Sequence, residues 1–496
     1  MSYQAILPTG INIGHPDRLF IDGAWVEAQS GRFIEVESPV SETIVARVAE
    51  GDEADMDRAA EAARRAFDDG PWPRLSPSER GRYVAALAAV LKRREGELAA
   101  AWTAQVGGLA GFAPIMVGGG TAIVERYAAM ASSYAFLKAV PSAVAATGVL
   151  VREPVGVVAA IAPWNAPYAI MAGKVAPALV AGCTLVMKPS PETPLEAYII
   201  AEAAEEVGLP PGVVNLVCGH REASDHLVCN ALIDKVSFTG SSAAGSRIGG
   251  VCGARMARCT LELGGKSAAI LLDDFPTEAA AKLLTGTITV MSGQVCAMLS
   301  RAVVPRRRHD ELAEAIAAEM KQVRVGDPSD PATQMGPLAM KRQLERVESY
   351  IGKGREEGAD LVTGGRRPPH LNNGYFIEPT LFANVDNGST IAREEIFGPV
   401  LSLIPCEDEA DAIRIANDSD YGLNGSVLTN DPDAAWRVAR AVRTGAFGQN
   451  GMRADFSLPF GGFKRSGIGR EGGAEGLANY TELKTVLLDG MPSELA

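Results

Sequence analysis

From Val151 onward the chain alternates apolar, strand-like runs with helical ones, and this alternation constrains the fold more than any other feature. Residues 155–162, 184–187, 213–217 and 235–238 read as strands. Residues 169–181, 194–207, 225–232 and 243–250 read as helices between and after them. A strand that returns parallel to its predecessor needs a crossover, usually a helix, so the pattern predicts a doubly wound, mostly parallel sheet. A second alternation begins near Ser267 and runs to about 460, with strands at 268–272 and 302–305 and helices at 277–290, 310–321 and 340–357. Upstream, Leu19-Phe20-Ile21 and Ala24-Trp25-Val26 flank an Asp22-Gly23 turn, and 53–67 and 77–106 carry helical periodicity. Gly118-Gly119-Gly120 is either a break or a tight packing point in a helical stretch reaching about Leu137. The expected fold class is α/β, with two doubly wound open-sheet lobes and a cleft between them.

At 496 residues the chain is too long for one core and predicts two or three domains. A net charge of -13 argues against nucleic acid or an anionic membrane as partner. Arg306-Arg307-Arg308 is a short run that reads as a solvated turn. The 7 cysteines (183, 218, 229, 252, 259, 296 and 406) include no CxxC pair, and their odd number argues for a reducing compartment. The 5 histidines are scattered without metal-ligand spacing, so no metal is expected. The N-terminus shows no charged-then-apolar signal pattern, which predicts a cytoplasmic protein. The longest apolar stretch, 155–173, holds Pro163, Asn165 and Pro167 and reads as strand, turn and helix rather than a membrane span.

Several motifs carry chemistry. Cys296 lies in Ser292-Gly293-Gln294-Val295-Cys296-Ala297-Met298, and Glu262 lies upstream in Leu261-Glu262-Leu263-Gly264-Gly265-Lys266. A thiol in one Gly loop and a carboxylate in another suit a nucleophile and a base. Taken alone, a cysteine is more often a buried small hydrophobe. Asn165, in Pro163-Trp164-Asn165-Ala166-Pro167 after the first strand, can donate to a developing oxyanion, or simply fill a turn. Phe238-Thr239-Gly240-Ser241 joins a strand to a helix whose first amides suit a phosphate. Lys188 ends a strand where open α/β sheets place nucleotides, and equally reads as a solvated strand cap. Glu394-Glu395-Ile396-Phe397-Gly398-Pro399-Val400 offers carboxylates for ribose hydroxyls. Pro459-Phe460-Gly461-Gly462 and Ser466-Gly467-Ile468-Gly469-Arg470-Glu471 are Gly-dense.

Taken in order and spacing, these motifs resemble the aldehyde dehydrogenase superfamily from about Leu19 to about Lys484. The resemblance implies a non-acylating, NAD(P)-dependent oxidation of an aldehyde to a carboxylic acid. Cys296 would be the nucleophile and Glu262 the base for deacylation. Asn165, with the Cys296 amide, would form the oxyanion hole, and Lys174 would support the site. Lys188 and Glu395 would hold the cofactor riboses, with Phe397 beside the nicotinamide. Gly240 and Ser241 would meet the pyrophosphate, and Ile161, Pro163, Trp164, Leu263 and Gly264 would line the cofactor channel. The resemblance divides the chain into a Rossmann-like cofactor-binding domain (1–129 and 150–264), a catalytic domain (265–465) and a β oligomerisation segment (130–149 and 478–496), hence a homodimer or homotetramer.

Two points depart from the family pattern. Many NAD-dependent members carry Glu three residues after the Lys equivalent to Lys188. Here that position is Pro191 and Glu192 follows, so NAD is expected and NADP acceptance is open. The expected substrate funnel comprises Ala166, Ile170, Gly173, Val295, Ala297, Met298, Met452 and Phe456. Small residues at 166 and 173, where relatives carry aromatics, predict a roomy apolar tunnel for long, branched or aromatic aldehydes, and no aromatic cage for a quaternary ammonium group. Arg453 and Asp455 in the same loop leave a polar tail, as in a semialdehyde, as the alternative. A non-catalytic descendant of the fold is the third reading, disfavoured by Cys296, Glu262, Asn165 and Lys174 all being present.

Overall fold

The structure is a computed structural model that describes residues 6–493. The outer ends of the expected terminal segments, 1–5 and 494–496, lie outside the described residues. The first sheet has eight strands. From one edge they are Gly467–Ile468, Arg258–Glu262, Lys235–Thr239, Val157–Ile161, Thr184–Lys188, Val214–Leu216, Leu19–Ile21 and Ala24–Val26. Its five central strands are parallel, as the alternation predicts. Helices cover both faces, so strands such as Val157–Ile161 and Thr184–Lys188 are buried at every residue.

The chain leaves Val157–Ile161 toward Thr184–Lys188 on one side and later returns to Lys235–Thr239 on the other. That reversal opens a crevice at the carboxyl ends of these strands, the usual ligand position in open α/β sheets. The second sheet has seven strands, ordered Asp360–Thr363, Thr380–Ala383, Val400–Cys406, Leu299–Pro305, Ser267–Leu271, Gly425–Leu428 and Gly448–Gln449. All its pairs are parallel except the first. A three-stranded antiparallel sheet joins Thr481–Leu488, Thr147–Pro154 and Leu137–Val140. Among the described residues no helix is long and apolar enough to cross a membrane.

The helical expectations need four corrections. The stretch 77–106 is two helices, Pro77–Arg93 and Glu95–Val106. They part at Arg94 (φ -99, ψ 10), whose guanidinium is held by Glu97 at 2.9 Å and Glu202 at 2.6 Å. The glycine triplet does not break its helix, which runs unbroken over Ala113–Met130, and Leu137 begins a strand. The helix expected at 225–232 spans Arg221–Cys229, because Asn230 leaves the helix and its side chain takes the Leu232 amide at 2.8 Å. The Arg306–Arg308 turn is anchored rather than merely solvated: Arg306 pairs with Glu407, Arg307 with Asp273, and Arg308 donates to the Phe275 carbonyl at 2.7 Å.

Gly120 is the packing point in the triplet: a Cβ there would stand 2.6 Å from the Tyr168 ring on helix Pro167–Ala181. Gly119 meets nothing within 4 Å. Gly120→Ala should therefore lower stability by about 1–3 kcal/mol through overpacking. Gly119→Ala should raise it by about 0.5–1 kcal/mol by removing backbone entropy from the unfolded chain. Urea midpoints for the two variants check this; equal shifts would mean the two helices do not pack closely at Gly120.

Candidate active site

Cys296 sits on a loop between the turn Val290–Gly293 and strand Leu299–Pro305. Met291, Ser292 and Gly293 are successive left-handed residues (φ 49, 54 and 74), so the chain turns sharply before the cysteine. Such backbone costs on the order of 1–3 kcal/mol per non-Gly residue and persists only where neighbours enforce it. The neighbours here are close. The Ser292 hydroxyl donates to the Gly336 carbonyl at 2.8 Å. A Cβ on Gly293 would lie 2.2 Å from the Gly398 carbonyl, and one on Gly265 would lie 2.5 Å from the Cys296 carbonyl. Two glycine turns thus clamp the loop from both sides.

Asn165 lies just before helix Pro167–Ala181 and is 6% exposed. Its side-chain amide donates to the Gln294 carbonyl at 2.9 Å, and its backbone carbonyl accepts from the Trp102 indole at 3.0 Å. Gln294 is fixed in turn, its side-chain oxygen taking the Ala339 amide at 2.9 Å. One amide hydrogen of Asn165 therefore sets its orientation and leaves the second for another acceptor.

Glu262 ends strand Arg258–Glu262 and is buried, with neither carboxylate oxygen hydrogen-bonded. Burial, reinforced by the charge of Glu471, pushes its pKa well above the carboxylate range, against the opposing pull of Lys174 and Arg470. Lys174 is fully buried, 2.5 Å from Glu471 Oε1 and 3.3 Å from Ser237 Oγ. Burial, with the charges of Glu395 and Glu262, pushes the Cys296 thiol up to about 12. The thiol thus lies within the electrostatic reach of the carboxylate, and both are biased toward their protonated forms.

On the crevice side, Ile161, Lys188 and Gly240 mark the carboxyl ends of three adjacent strands. Pro163 and Trp164 follow Ile161, and Trp164 meets the Phe397 ring edge-on with centroids 5.3 Å apart. Phe397 is itself left-handed (φ 63). Ser241 caps helix Ser242–Arg255 by accepting from the Ala244 amide at 3.3 Å. Leu263 packs on that helix at Gly245, where a Cβ would come within 2.4 Å of it. Glu395 accepts from the Gly265 amide at 3.0 Å, and a Cβ on Gly264 would fall 2.2 Å from its other oxygen. Burial pushes Glu395 up to about 7 and draws Lys188 down to about 8. Free helix amides, a desolvated cation and a buried carboxylate across the crevice suit a ligand carrying phosphates and hydroxyls.

Of the funnel candidates, Ala297, Val295 and Met452 pack with Cys296, Leu423 and Phe460 in one apolar cluster. The Phe456 ring lies 5.3 Å from Phe460 and is 46% exposed. Gly173 faces open space, Ala166 is half-buried at the helix start, and Ile170 is half-buried against the first lobe's core. Met298 is buried in the second lobe's core. Asp455 lies 3.8 Å from Arg126 at the outer end of the cluster. Trp102, Gln294 and the Lys174–Glu471 pairing were not assigned from the sequence. Glu471 stood out as an acid in a Gly-dense motif, but nothing local marks Trp102.

Comparison with known proteins identifies the family. The model of the aldehyde dehydrogenase family matches residues 25–486. A geranial dehydrogenase of Castellaniella defragrans is 42% identical over 478 residues, covering 95% of this chain and 98% of that protein. A 3-succinoylsemialdehyde-pyridine dehydrogenase of a Pseudomonas species is 42% identical over 472 residues, covering 94% and 98%. The crystal structure of an aldehyde dehydrogenase of Mycobacterium tuberculosis complexed with NAD+ is 44% identical, covers 96% of this chain and 99% of that one, and superposes with a TM-score of 0.93. By sequence and by fold, the chain belongs to the aldehyde dehydrogenase family.

Proposed function

We propose that the protein oxidises a large apolar aldehyde to its carboxylic acid with NAD, through Cys296 and Glu262. The carrying observation is Cys296 clamped between two glycine turns, beside an oriented Asn165 amide and an unpartnered buried Glu262. The thiolate form of Cys296, its proton released to solvent, attacks the aldehyde carbon through Sγ, and the carbonyl electrons move onto oxygen. The second Asn165 amide hydrogen and the Cys296 backbone N–H stabilise that oxyanion. NAD, when bound, takes up the hydride from this carbon, which leaves a thioester on Cys296. Glu262 takes a proton from the attacking water, the C–S bond breaks, and the acid leaves. Lys174 and Glu471 hold opposite charges beside Glu262, the lysine favouring its ionised form and the glutamate opposing it.

Lys188 and Glu395 would hold the riboses, Gly240 and Ser241 the pyrophosphate, and Ile161, Pro163, Trp164, Leu263, Gly264 and Phe397 the remainder of the channel. Glu192, though shifted by one residue, still places a carboxylate near Lys188, held by Ser190 and by Arg342 at 2.5 Å. Burial raises its pKa, but Arg342 and Ser190 more than offset this, so it stays ionised and disfavours a 2′-phosphate. This supports NAD over NADP.

The apolar cluster at Cys296 and the open space at Gly173 support a bulky apolar substrate, as does the 42% identity to a geranial dehydrogenase. The Arg126–Asp455 pair at the rim favours the second reading, a semialdehyde with a polar tail. The cofactor and catalytic domains would divide as the two large sheets do. Exposed Leu483 and Leu487 on the small sheet support its burial in a homodimer or homotetramer, which light scattering would read. Seven free thiols support a reducing, cytoplasmic setting.

Following reduced nicotinamide across branched, aromatic, short and semialdehyde substrates, turnover should be highest with large apolar aldehydes and vanish in Cys296→Ala. Asn165→Ala should lose about 10²–10³ in kcat. A preference for acetaldehyde would sink the tunnel assignment. Because a raised thiol pKa leaves the thiolate a minority below it, iodoacetamide labelling of Cys296 should keep rising with pH to 10 and beyond. In Glu262→Gln, which removes a negative neighbour, labelling should be faster at each alkaline pH; a plateau below pH 8 would contradict the assignment. Glu192→Gln should raise the ratio of NADP to NAD activity, and an unchanged ratio would remove Glu192 from cofactor choice.

A further inference from the structure

Helix Ser242–Arg255 lies antiparallel over strand Arg258–Glu262 in a regular register. A Cβ on Gly245 would meet Leu263, and one on Gly249 would meet Leu261 at 3.5 Å. The next rung, one helical turn on and two strand residues back, pairs Cys252 with Cys259. The strand's alternation puts Cys259 on the same face as Leu261, under the helix. The helical repeat puts Cys252 below Ile248 and Gly245 on the buried face. The two thiols pack in the same apolar cluster, close enough for each to shift the other's titration. The glycines at 245 and 249 allow the close approach, since no side chain holds the helix off the sheet. Cys252 is 1% exposed, Cys259 is half-buried, and both belong to one apolar cluster.

We propose that Cys252 and Cys259 are a redox modification site, forming a reversible disulfide on exposure to a peroxide. Cys259 is the thiol oxidised first. It is the more open of the two, and the hydrogen bond from Cys252 together with the charge of Lys235 draws its pKa down despite burial, whereas that of Cys252 is driven up. The Cys259 thiolate attacks one peroxide oxygen, the O–O bond breaks, and a sulfenic acid and one water form. Cys252, giving up its proton, attacks that sulfur and expels hydroxide, which leaves as the second water. The S–S bond thus takes two electrons from the thiols, and the peroxide is reduced to two waters.

Closure must shorten the sulfur contact to about 2 Å, which draws the helix toward the strand. That helix begins at Ser241, where pyrophosphate is assigned, and the strand ends at Glu262. Oxidation therefore moves the cofactor cradle relative to the catalytic carboxylate and weakens NAD binding. This consequence rests on the NAD assignment above, whereas the bond itself does not.

The test uses the full chain carrying Cys296→Ala, so that the reactive thiol does not compete. Hydrogen peroxide is applied, free thiols are blocked, the protein is mapped by peptide mass, and NAD affinity is titrated by protein fluorescence. The expected result is a Cys252–Cys259 linked peptide lighter by two hydrogens, with NAD binding weakened by about tenfold, within the usual range of coupling between sites. Dithiothreitol should restore both. Added Cys259→Ser, or Cys252→Ala should the first fold poorly, should abolish both effects. Free Cys252 and Cys259 after exposed Cys229 has been oxidised would overturn the proposal. A linked peptide with unchanged NAD affinity would uphold the disulfide and overturn its coupling to the cofactor cradle. A reduced protein that binds no NAD at all would instead overturn the cofactor assignment.

Discussion

The buried ion pair between Lys174 and Glu471 is the interaction on which the site depends. Lys174 is wholly removed from solvent and Glu471 nearly so. Removing either partner would leave an uncompensated buried charge, a loss of about 3–5 kcal/mol. Ser237 lies against both, donating to Glu471 at 3.4 Å, and takes the Tyr480 hydroxyl at 3.0 Å. The pair thus ties the helix that follows Asn165, the centre of the first sheet and the segment leading to the C-terminal strand. Glu262 sits in its field, where the cation opposes what burial and Glu471 do to its carboxyl. Residues far away in sequence thus adjust, on top of burial, the titration of the proposed base.

A second constraint is steric. The clefts around Cys296 and Glu395 close because backbone meets backbone or carboxylate where a side chain would intrude. Gly264, Gly265, Gly293 and Gly461 each face a partner that a Cβ would approach within 2.6 Å. At Gly461 that partner is Glu262 itself. Gly293 (φ 74) and Gly461 (φ 158) also sit at a positive φ that favours glycine, whereas Gly264 and Gly265 are required by proximity. Two motifs that read as glycine-rich turns therefore act as contact surfaces between lobes.

The apolar surroundings of Cys296 explain why the thiol is held protonated at rest. The same packing of Ala297, Leu423 and Phe460 that suits an apolar aldehyde excludes the water a thiolate would need. On the proposed function, substrate preference and thiol reactivity share this one cluster, so a change that widens or wets it should move both together.

The sequence by itself determined the two alternating lobes, because buried parallel strands and crossover helices imprint their periods locally. It also determined the candidate groups Cys296, Glu262, Asn165, Lys188 and Glu395, because their motifs are contiguous and ordered. Its limits lie where partners are distant or where a local signal has two meanings. Lys174 and Glu471 are 297 residues apart, and the Trp102 indole reaches the Asn165 carbonyl across 63. The Gly118–Gly120 run looked alike as a break or a packing point until Tyr168 was seen to lie against Gly120. Arg94 divided an apparently continuous helix because Glu97 in the next turn and Glu202 from a distant helix both hold it. The rung joining Cys252 to Cys259 came from a helix settling on a strand at one register. In each case burial and electrostatics act between surfaces that only folding brings together, and no periodicity in the chain encodes which surfaces those are.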